Sequence, residues 1–351
     1  MAERSSIPLR VESLKARHFP MLNASAEARQ LQWLQTMLLR GWIARAEEHL
    51  PNLLPARHPC CLVAIEQNQL LALVVARPYN RRGSCWSVTM PELLATPGEY
   101  SLRRVRHDLL QSALQLGSNR AKSWVLRCPA SDADQLALTR ELGFQPLKLF
   151  QFWTAPLAET QSPQTQHASP SDLPGDLSWQ QITHRTANLL WPLEQAGGSG
   201  HLRQIVDRQS IDLLDQSQDG TGVLLCHSGG FDKAIAGLVS RPESEQRPVL
   251  ELLRDVGWDP RLTKALPIIL SHAIKPSLQA KLLTASEDEP LNQLLDQLGW
   301  QRAGEEMLLG RSLWRRQMNS KLIPGTRPLE SMLGRLRPQR PPLPTPSLGR
   351  R

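Results

Sequence analysis

Apolar residues recur at three- and four-residue spacing through residues 25–50, SAEARQLQWLQTMLLRGWIARAEEHL, and predict a long helix. The pattern then changes period. Residues 60–78, CCLVAIEQNQLLALVVARP, read as two β-strands around a tight polar turn, and LRVESL at 9–14 as a strand before the helix. SCWSVTM (84–90) is a further strand, SLRRVRHDLLQSALQLG (101–117) a helix stopped at a glycine, and SWVLRC (123–128) a strand. DADQLALTRELG (132–143) predicts a helix, and FQPLKLFQFW (144–153) a closing strand.

The same order returns downstream. LSWQQI (177–182) opens it, and helical patterns cover TANLLWPLEQAG (186–197) and HLRQIVDRQSIDLLDQ (201–216). A hairpin follows in GVLLCHSGGFDKAIAGLVSRP (222–242), with HSGGFD as its turn, then a strand in VLELLRDVGW (249–258). Helix DPRLTKALPIILSHAI (259–274), strand AKLLTA (280–285), helix EPLNQLLDQLG (289–299) and strand WQRAGEEMLLGRSLW (300–314) complete it. Ala76-Arg77-Pro78 aligns with Ser240-Arg241-Pro242 at an offset of 164, and Leu142-Gly143-Phe144 with Leu298-Gly299-Trp300 at 156. A nearly constant offset over several elements marks an internal duplication. The expected architecture is two copies of one mixed α/β (α+β) module with a mostly antiparallel sheet, at residues 1–154 and 177–317.

Two segments interrupt the pattern. Residues 155–176, rich in Pro, Ser, Thr and Gln, read as a linker, and residues 318–351, with seven prolines, as a disordered basic tail. Charge sharpens this division. Of the net +8, the tail carries +6, from Lys321, Arg327, Arg335, Arg337, Arg340, Arg350 and Arg351 against Glu330. The nearly neutral remainder argues against nucleic acid as a partner. Within the tail, Leu329, Met332, Leu333 and Leu336 are spaced as one face of a short helix, which suits a protein partner; a loose tail with chance leucines fits equally well. No apolar run is long enough for a membrane helix, and the N-terminus lacks a secretory core. The five cysteines form no CxxC pair and lie in apolar runs, so reduced buried thiols in a cytoplasmic protein are expected.

This element order, with Leu-Gly-Phe and Leu-Gly-Trp turns before the closing strands, resembles the GNAT-type N-acetyltransferases, here as a tandem pair over about 300 residues. The resemblance implies acetyl-CoA or another acyl-CoA as co-substrate, an amine of unknown identity as acceptor, and no metal. The family places a Gln/Arg-x-x-Gly-x-Gly/Ala signature between its fourth strand and the next helix, where backbone N–H groups approach the CoA pyrophosphate. The matching positions are Ser101, Arg104 and Arg106 in the first copy, and Arg261, Lys264 and Leu266 in the second. Both signature glycines are therefore replaced in each copy. Arg104, Arg106 and Lys264 are candidates to pair with phosphate, the alternative being a solvated basic helix face. Arg261 survives as the leading cation, although Asp259-Pro260-Arg261 also reads as a helix start.

The family's usual acid, a Tyr in the last helix, is matched by Thr139 and Leu295; the chain's two tyrosines, Tyr79 and Tyr100, stand elsewhere. The resemblance makes Glu251 and Asp255 of the second fourth strand candidate bases, since that strand borders the family's acyl site. A structural role for them on a half-exposed strand is the plainer reading. His107 and His272 have no partners at metal-ligand spacing, and the ten tryptophans suit cores and an interface. The leading expectation is an acyl-CoA-dependent N-acyltransferase working in the second copy. The alternative is a catalytically inactive tandem scaffold that contacts partners through its tail.

Overall fold

The computed structural model describes residues 9–22, 28–50, 57–116, 121–156, 172–228, 230–241, 249–274 and 280–312. Most of the expected linker and all of the basic tail lie outside them. The described residues belong to one compact unit, Met1–Leu313.

β1 (Arg10–Ser13) leads through a 3-10 turn, Ala16–Met21, to α1 (Ala28–His49), which buries Leu34 and Met37 against the sheet. β2 (Cys60–Glu66) and β3 (Gln69–Pro78) form the predicted hairpin. Its turn residues Gln67 and Asn68 have φ of 45° and 69°, the left-handed pair whose twist matches the flanking strands. β4 (Cys85–Val88), a short β5 (Glu92–Leu93), α2 (Leu102–Ala113), β6 (Ser123–Pro129), α3 (Ala133–Glu141) and β7 (Gln145–Thr154) complete the first copy. The second runs β8 (Leu177–Gln180), α4 (His184–Ala196), α5 (Gly200–Val206), β9 (Gly222–Ser228), β10 (Phe231–Ser240) and β11 (Val249–Arg254). It ends with α6 (Leu262–Ala273), β12 (Lys281–Ala285), α7 (Glu289–Gln297) and β13 (Gln301–Ser312).

Both Leu-Gly-aromatic motifs end their helices in the same way. Gly143 and Gly299 take φ of 82° and 80°, and the N–H groups of Phe144 and Trp300 turn back to the carbonyls of Thr139 and Leu295 at 3.0 Å. Glycine carries no Cβ penalty in that conformation, and the turn satisfies carbonyls a helix end leaves open.

The helical stretch at 201–216 is not continuous. It divides into α5 and a 3-10 turn, Ser210–Gln216, because Asp207 is left-handed at φ 45°, ψ 43°. A loop of the first copy holds it there. Asn80 donates to the Val206 and Asp207 carbonyls at 3.0 and 2.9 Å, and Ser84 to the Asp207 carboxylate at 2.7 Å.

The strands form one sheet in the order β1-β2-β3-β4-β6-β13-β7-β12-β11-β10-β9-β8, with β5 beside β3. Among the described strands only β4–β6 and β11–β12 pair in parallel. The closing strands are exchanged: β13 of the second copy pairs with β6 of the first, β7 of the first pairs with β12 of the second, and β7 and β13 pair with each other. The cores record the same exchange. Trp153 of β7 is fully buried in the second copy's core, where its indole N–H donates to Thr284 Oγ1 at 2.8 Å. Leu309 of β13 is buried in the first copy's core.

Candidate functional site

Exchange brings residues of both copies together at the middle of the sheet. α5 lies close on this face because β13 has glycine at 310: a Cβ there would stand 2.4 Å from Leu147 Cδ1 and 3.1 Å from Ile205. Beneath the end of α4, α5 and the following 3-10 turn is a pocket with about 70 Å³ of free space, open to solvent at its mouth. The first copy lines it with Tyr79, Arg127, Lys148 and Phe150, and the second with Glu194, Arg208, Glu251 and Leu253.

The pocket is dense in charge. Arg241, Arg127 and Lys148 surround the buried Phe150 ring at 4.9, 5.1 and 5.2 Å from its centroid, so the ring's negative face helps to hold them. Arg241 reaches Glu306 at 2.7 Å and Glu251 at 3.5 Å, and Arg127 reaches Tyr79 Oη at 3.2 Å. Lys148 donates to the Gly197 carbonyl at 2.8 Å. Arg208 pairs with Glu194 Oε1 and donates to Gln216 at 2.8 Å, with its guanidinium 5.7 Å from the Tyr79 ring centroid.

These surroundings displace the two pocket carboxylates in opposite directions. Burial alone raises Glu251, but Arg241, Arg127, Lys148 and Arg208 outweigh it and hold the carboxyl below its ordinary 4.5. Burial also raises Glu194, with repulsion from Glu251 and Asp212 adding to it. Arg208 opposes this without reversing it, and the group stays above 4.5. Buried polar atoms without a hydrogen-bond partner in the protein include Glu194 Oε2 and Arg208 Nε on the pocket wall and Arg241 Nη2 beside it.

Of the six candidates from the sequence, the pocket contains only Glu251. Asp255 follows β11, pairs with Lys233 at 2.8 Å, and is held low chiefly by that hydrogen bond. Arg261 is engaged on all sides. Its guanidinium reaches Asp259 Oδ1 at 3.0 Å, Asp176 at 2.6 Å and Cys226 Sγ at 2.8 Å. Lys264 is exposed on α6. Arg104 is exposed on α2, 3.7 Å from Asp108 and stacked over Tyr100 at 5.5 Å, while Arg106 is half-buried on the same helix. α2 and α6 both pack on the sheet face opposite the pocket, since Leu250 and Leu252, not Glu251, join the core with α6.

The start of α6 does not fit a pyrophosphate cradle. The N–H groups of Leu262, Thr263 and Lys264 already donate to the carbonyls of Asp259, Pro260 and Arg261 at 3.0, 3.3 and 3.1 Å. The helix-start reading of Asp259-Pro260-Arg261 thus becomes a 3-10 turn that takes the donors an anion needs. In α2 the Arg104 N–H is taken by the Ser101 hydroxyl at 3.2 Å. Thr139 and Leu295 are fully buried, and the Thr139 hydroxyl donates to the Leu136 carbonyl. Neither can reach a leaving group.

Within HSGGFD, β9 ends at Ser228 and β10 begins at Phe231, and Asp232 faces His227 across the pair. His227 bridges Asp232 and Ser178, with Nδ1 2.6 Å from Asp232 and Nε2 2.7 Å from Ser178 Oγ. His227 lies on β9, one strand in from the edge strand β8, with its side chain 41% exposed. Water competes for each of its bonds there, and it serves to pin β8 to the turn. Four of the five cysteines are buried; burial raises the Cys128 thiol to about 11, and Cys61 further. Among the described residues no cluster of three potential metal ligands occurs, and no helix is long and apolar enough to cross a membrane.

No family model matches the chain, and no curated protein does. Solved structures do. A GCN5-related N-acetyltransferase from Sphaerobacter thermophilus matches over 72% of this chain and 80% of its own, at 13% identity and a TM-score of 0.47. A tandem GNAT protein from the clavulanic acid biosynthesis pathway matches over 87% of this chain and 98% of its own, at 11% and 0.47. A glucosamine N-acetyltransferase region of a fungal β-N-acetylglucosaminidase matches over 87% of this chain and 38% of its own, at 14% and 0.48. The chain is similar in fold to GNAT-type acetyltransferases, a tandem one included. At these identities the likeness concerns fold and says nothing of chemistry.

Proposed function

We propose that the pocket is the acceptor site of an acyltransferase that places an acyl group from acyl-CoA on an amine. One observation carries this reading. The parallel β11–β12 pairing runs from Val249 opposite Lys281 to Glu251 opposite Leu283 and ends there, at the residue whose side chain lines the pocket. Parallel strands that part leave a gap in the sheet with unpaired backbone groups, which is where a reacting carbonyl finds donors. Glu251 stands at the edge of that gap on the pocket side.

Two carboxylates displaced in opposite directions divide the work. Glu251, kept ionised, draws an ammonium into the pocket. Glu194, raised by burial and with Oε2 lacking a donor, accepts the proton that must leave before nitrogen can attack. The closed first turn of α6 offers the donor's pyrophosphate no cradle in this copy, so the reading rests on the pocket.

Calorimetry on the full chain tests it. Acetyl-CoA should bind with a Kd below about 1 mM, or roughly −4 kcal/mol. Glu194→Gln should leave that heat unchanged while slowing amine-dependent thiol release by about 100-fold or more. Absence of saturable heat with millimolar acetyl-CoA would remove acyl transfer and leave a tandem binding module.

A further inference from the structure

Five cations stand at the pocket: Arg127, Lys148, Arg203 and Arg208 line it, and Arg241 lies beside it over the Phe150 ring. Four carboxylates face them: Glu194, Glu251 and Glu306 in ion pairs, and Asp212, whose charge bears on Glu194 and Arg208. The balance is positive by one where the Arg208 and Arg241 side chains are only 8% and 5% exposed. Arg208 and Arg241 each have a carboxylate partner, so the surplus lies with Lys148 and Arg203, and an incoming anion is drawn to it. Hydrogen bonding makes the same demand atom by atom. Arg208 Nε and Arg241 Nη2 are donors without acceptors, and Glu194 Oε2 is an acceptor without a donor. Native interiors leave few such atoms, and two on one cavity wall with a third beside it ask for a partner of complementary chemistry. Between them the wall is apolar, formed by Leu202, Val206, Val239, Leu253 and Leu308.

We propose that the pocket takes an α-amino acid with a large apolar side chain. Its carboxylate accepts from Arg208, backed by Arg241. Its ammonium donates to Glu194 Oε2 beside Glu251, and its side chain lies on the apolar wall. A plain amine leaves the guanidinium N–H groups unmet, and a bare phosphate leaves Glu194 unmet. The inference rests on reading the pocket as the acceptor site only for the fate of the amine; binding itself does not need acyl transfer.

The test uses the full chain and four probes: L-phenylalanine, L-leucine, phenylacetate without the amine, and 2-phenylethylamine without the carboxylate. Calorimetry and thermal melting should show one of the two amino acids bound about tenfold or more tighter than either truncated probe, the scale of one lost charge-assisted hydrogen bond. Arg208→Gln should abolish the preference for L-phenylalanine over 2-phenylethylamine. Should that variant not fold, the wild-type ranking decides alone. Failure of both amino acids to bind, or binding of either truncated probe as tight as that of the tighter amino acid, overturns the proposal. Acetyl-CoA is titrated separately. Amino-acid binding without acetyl-CoA binding keeps this inference and removes acyl transfer; the reverse result keeps acyl transfer and removes this inference.

Discussion

Glu251 and Glu194 sit in one pocket, yet they couple folding to pH with opposite signs. The Glu251 carboxyl titrates below 4.5 in the folded chain, so the native state binds fewer protons than the unfolded one. Its contribution is present above that value and is lost as pH falls through the folded value. Glu194 titrates above 4.5, so its ionisation opposes folding as pH rises through its own folded value. Glu251→Gln should therefore cost about 1–3 kcal/mol at neutral pH, the range for a buried donor losing its acceptor. Urea melts at a series of pH values should show the wild-type advantage fading below about 4.5. An advantage that stays constant into acid would mean that shape, not charge, sets the cost. Glu251 was legible in the sequence because the fourth strand of a repeated α/β order can be counted. Glu194 and Arg208 were not: they lie in separate helical stretches, and only the folded chain shows that they pair with each other on the pocket wall. Arg261 shows the converse, a cation at the position the resemblance marks whose partners Asp259, Asp176 and Cys226 engage it.

α5 reaches the pocket only because β13 offers it a residue without a side chain. Gly310→Ala puts a methyl 2.4 Å from Leu147 Cδ1 and 3.1 Å from Ile205, so Leu147 must rotate and Ile205 of α5 must give by a few tenths of an ångström. Overpacking of this kind costs about 1–3 kcal/mol, partly offset because alanine suits a strand better than glycine. Denaturant melts should show a net loss, and an unchanged midpoint would place α5 more loosely than described. Most elements were readable from their periods: the β2–β3 hairpin, the strands either side of α2 and α6, and both Leu-Gly-aromatic helix ends. The break at Asp207 was not, because Asn80 and Ser84, well over a hundred residues away in sequence, hold it. The exchange of β7 and β13 was hidden for a deeper reason. An alternating pattern fixes which face of a strand is buried. Here β7 and β13 close equivalent copies, so either core satisfies either strand.

At the scale of the whole molecule, exchange decides whether the two copies are separable. A piece ending after β7 keeps its own β6 but lacks β13, the strand that fills the place between β6 and β7. A piece beginning at β8 lacks β7, and with it Trp153, from the core that α6 and α7 cover. Each alone would expose long unpaired edges and an open core. Expressed together as separate chains, the two pieces should form a one-to-one complex that runs as a single species in native gel filtration and melts in one transition. Trp153→Ala tests the same point within the intact chain. Loss of a fully buried Trp costs about 3–5 kcal/mol, and the loss of its bond to Thr284 should add to it. Hydrogen exchange should then rise in β12, α6 and α7, which pack around the indole, although the substitution lies in the first copy. Faster exchange confined to β1–β4 and α1, or two pieces that elute apart, would show that each copy folds around its own closing strand, and the exchanged sheet would have to be abandoned.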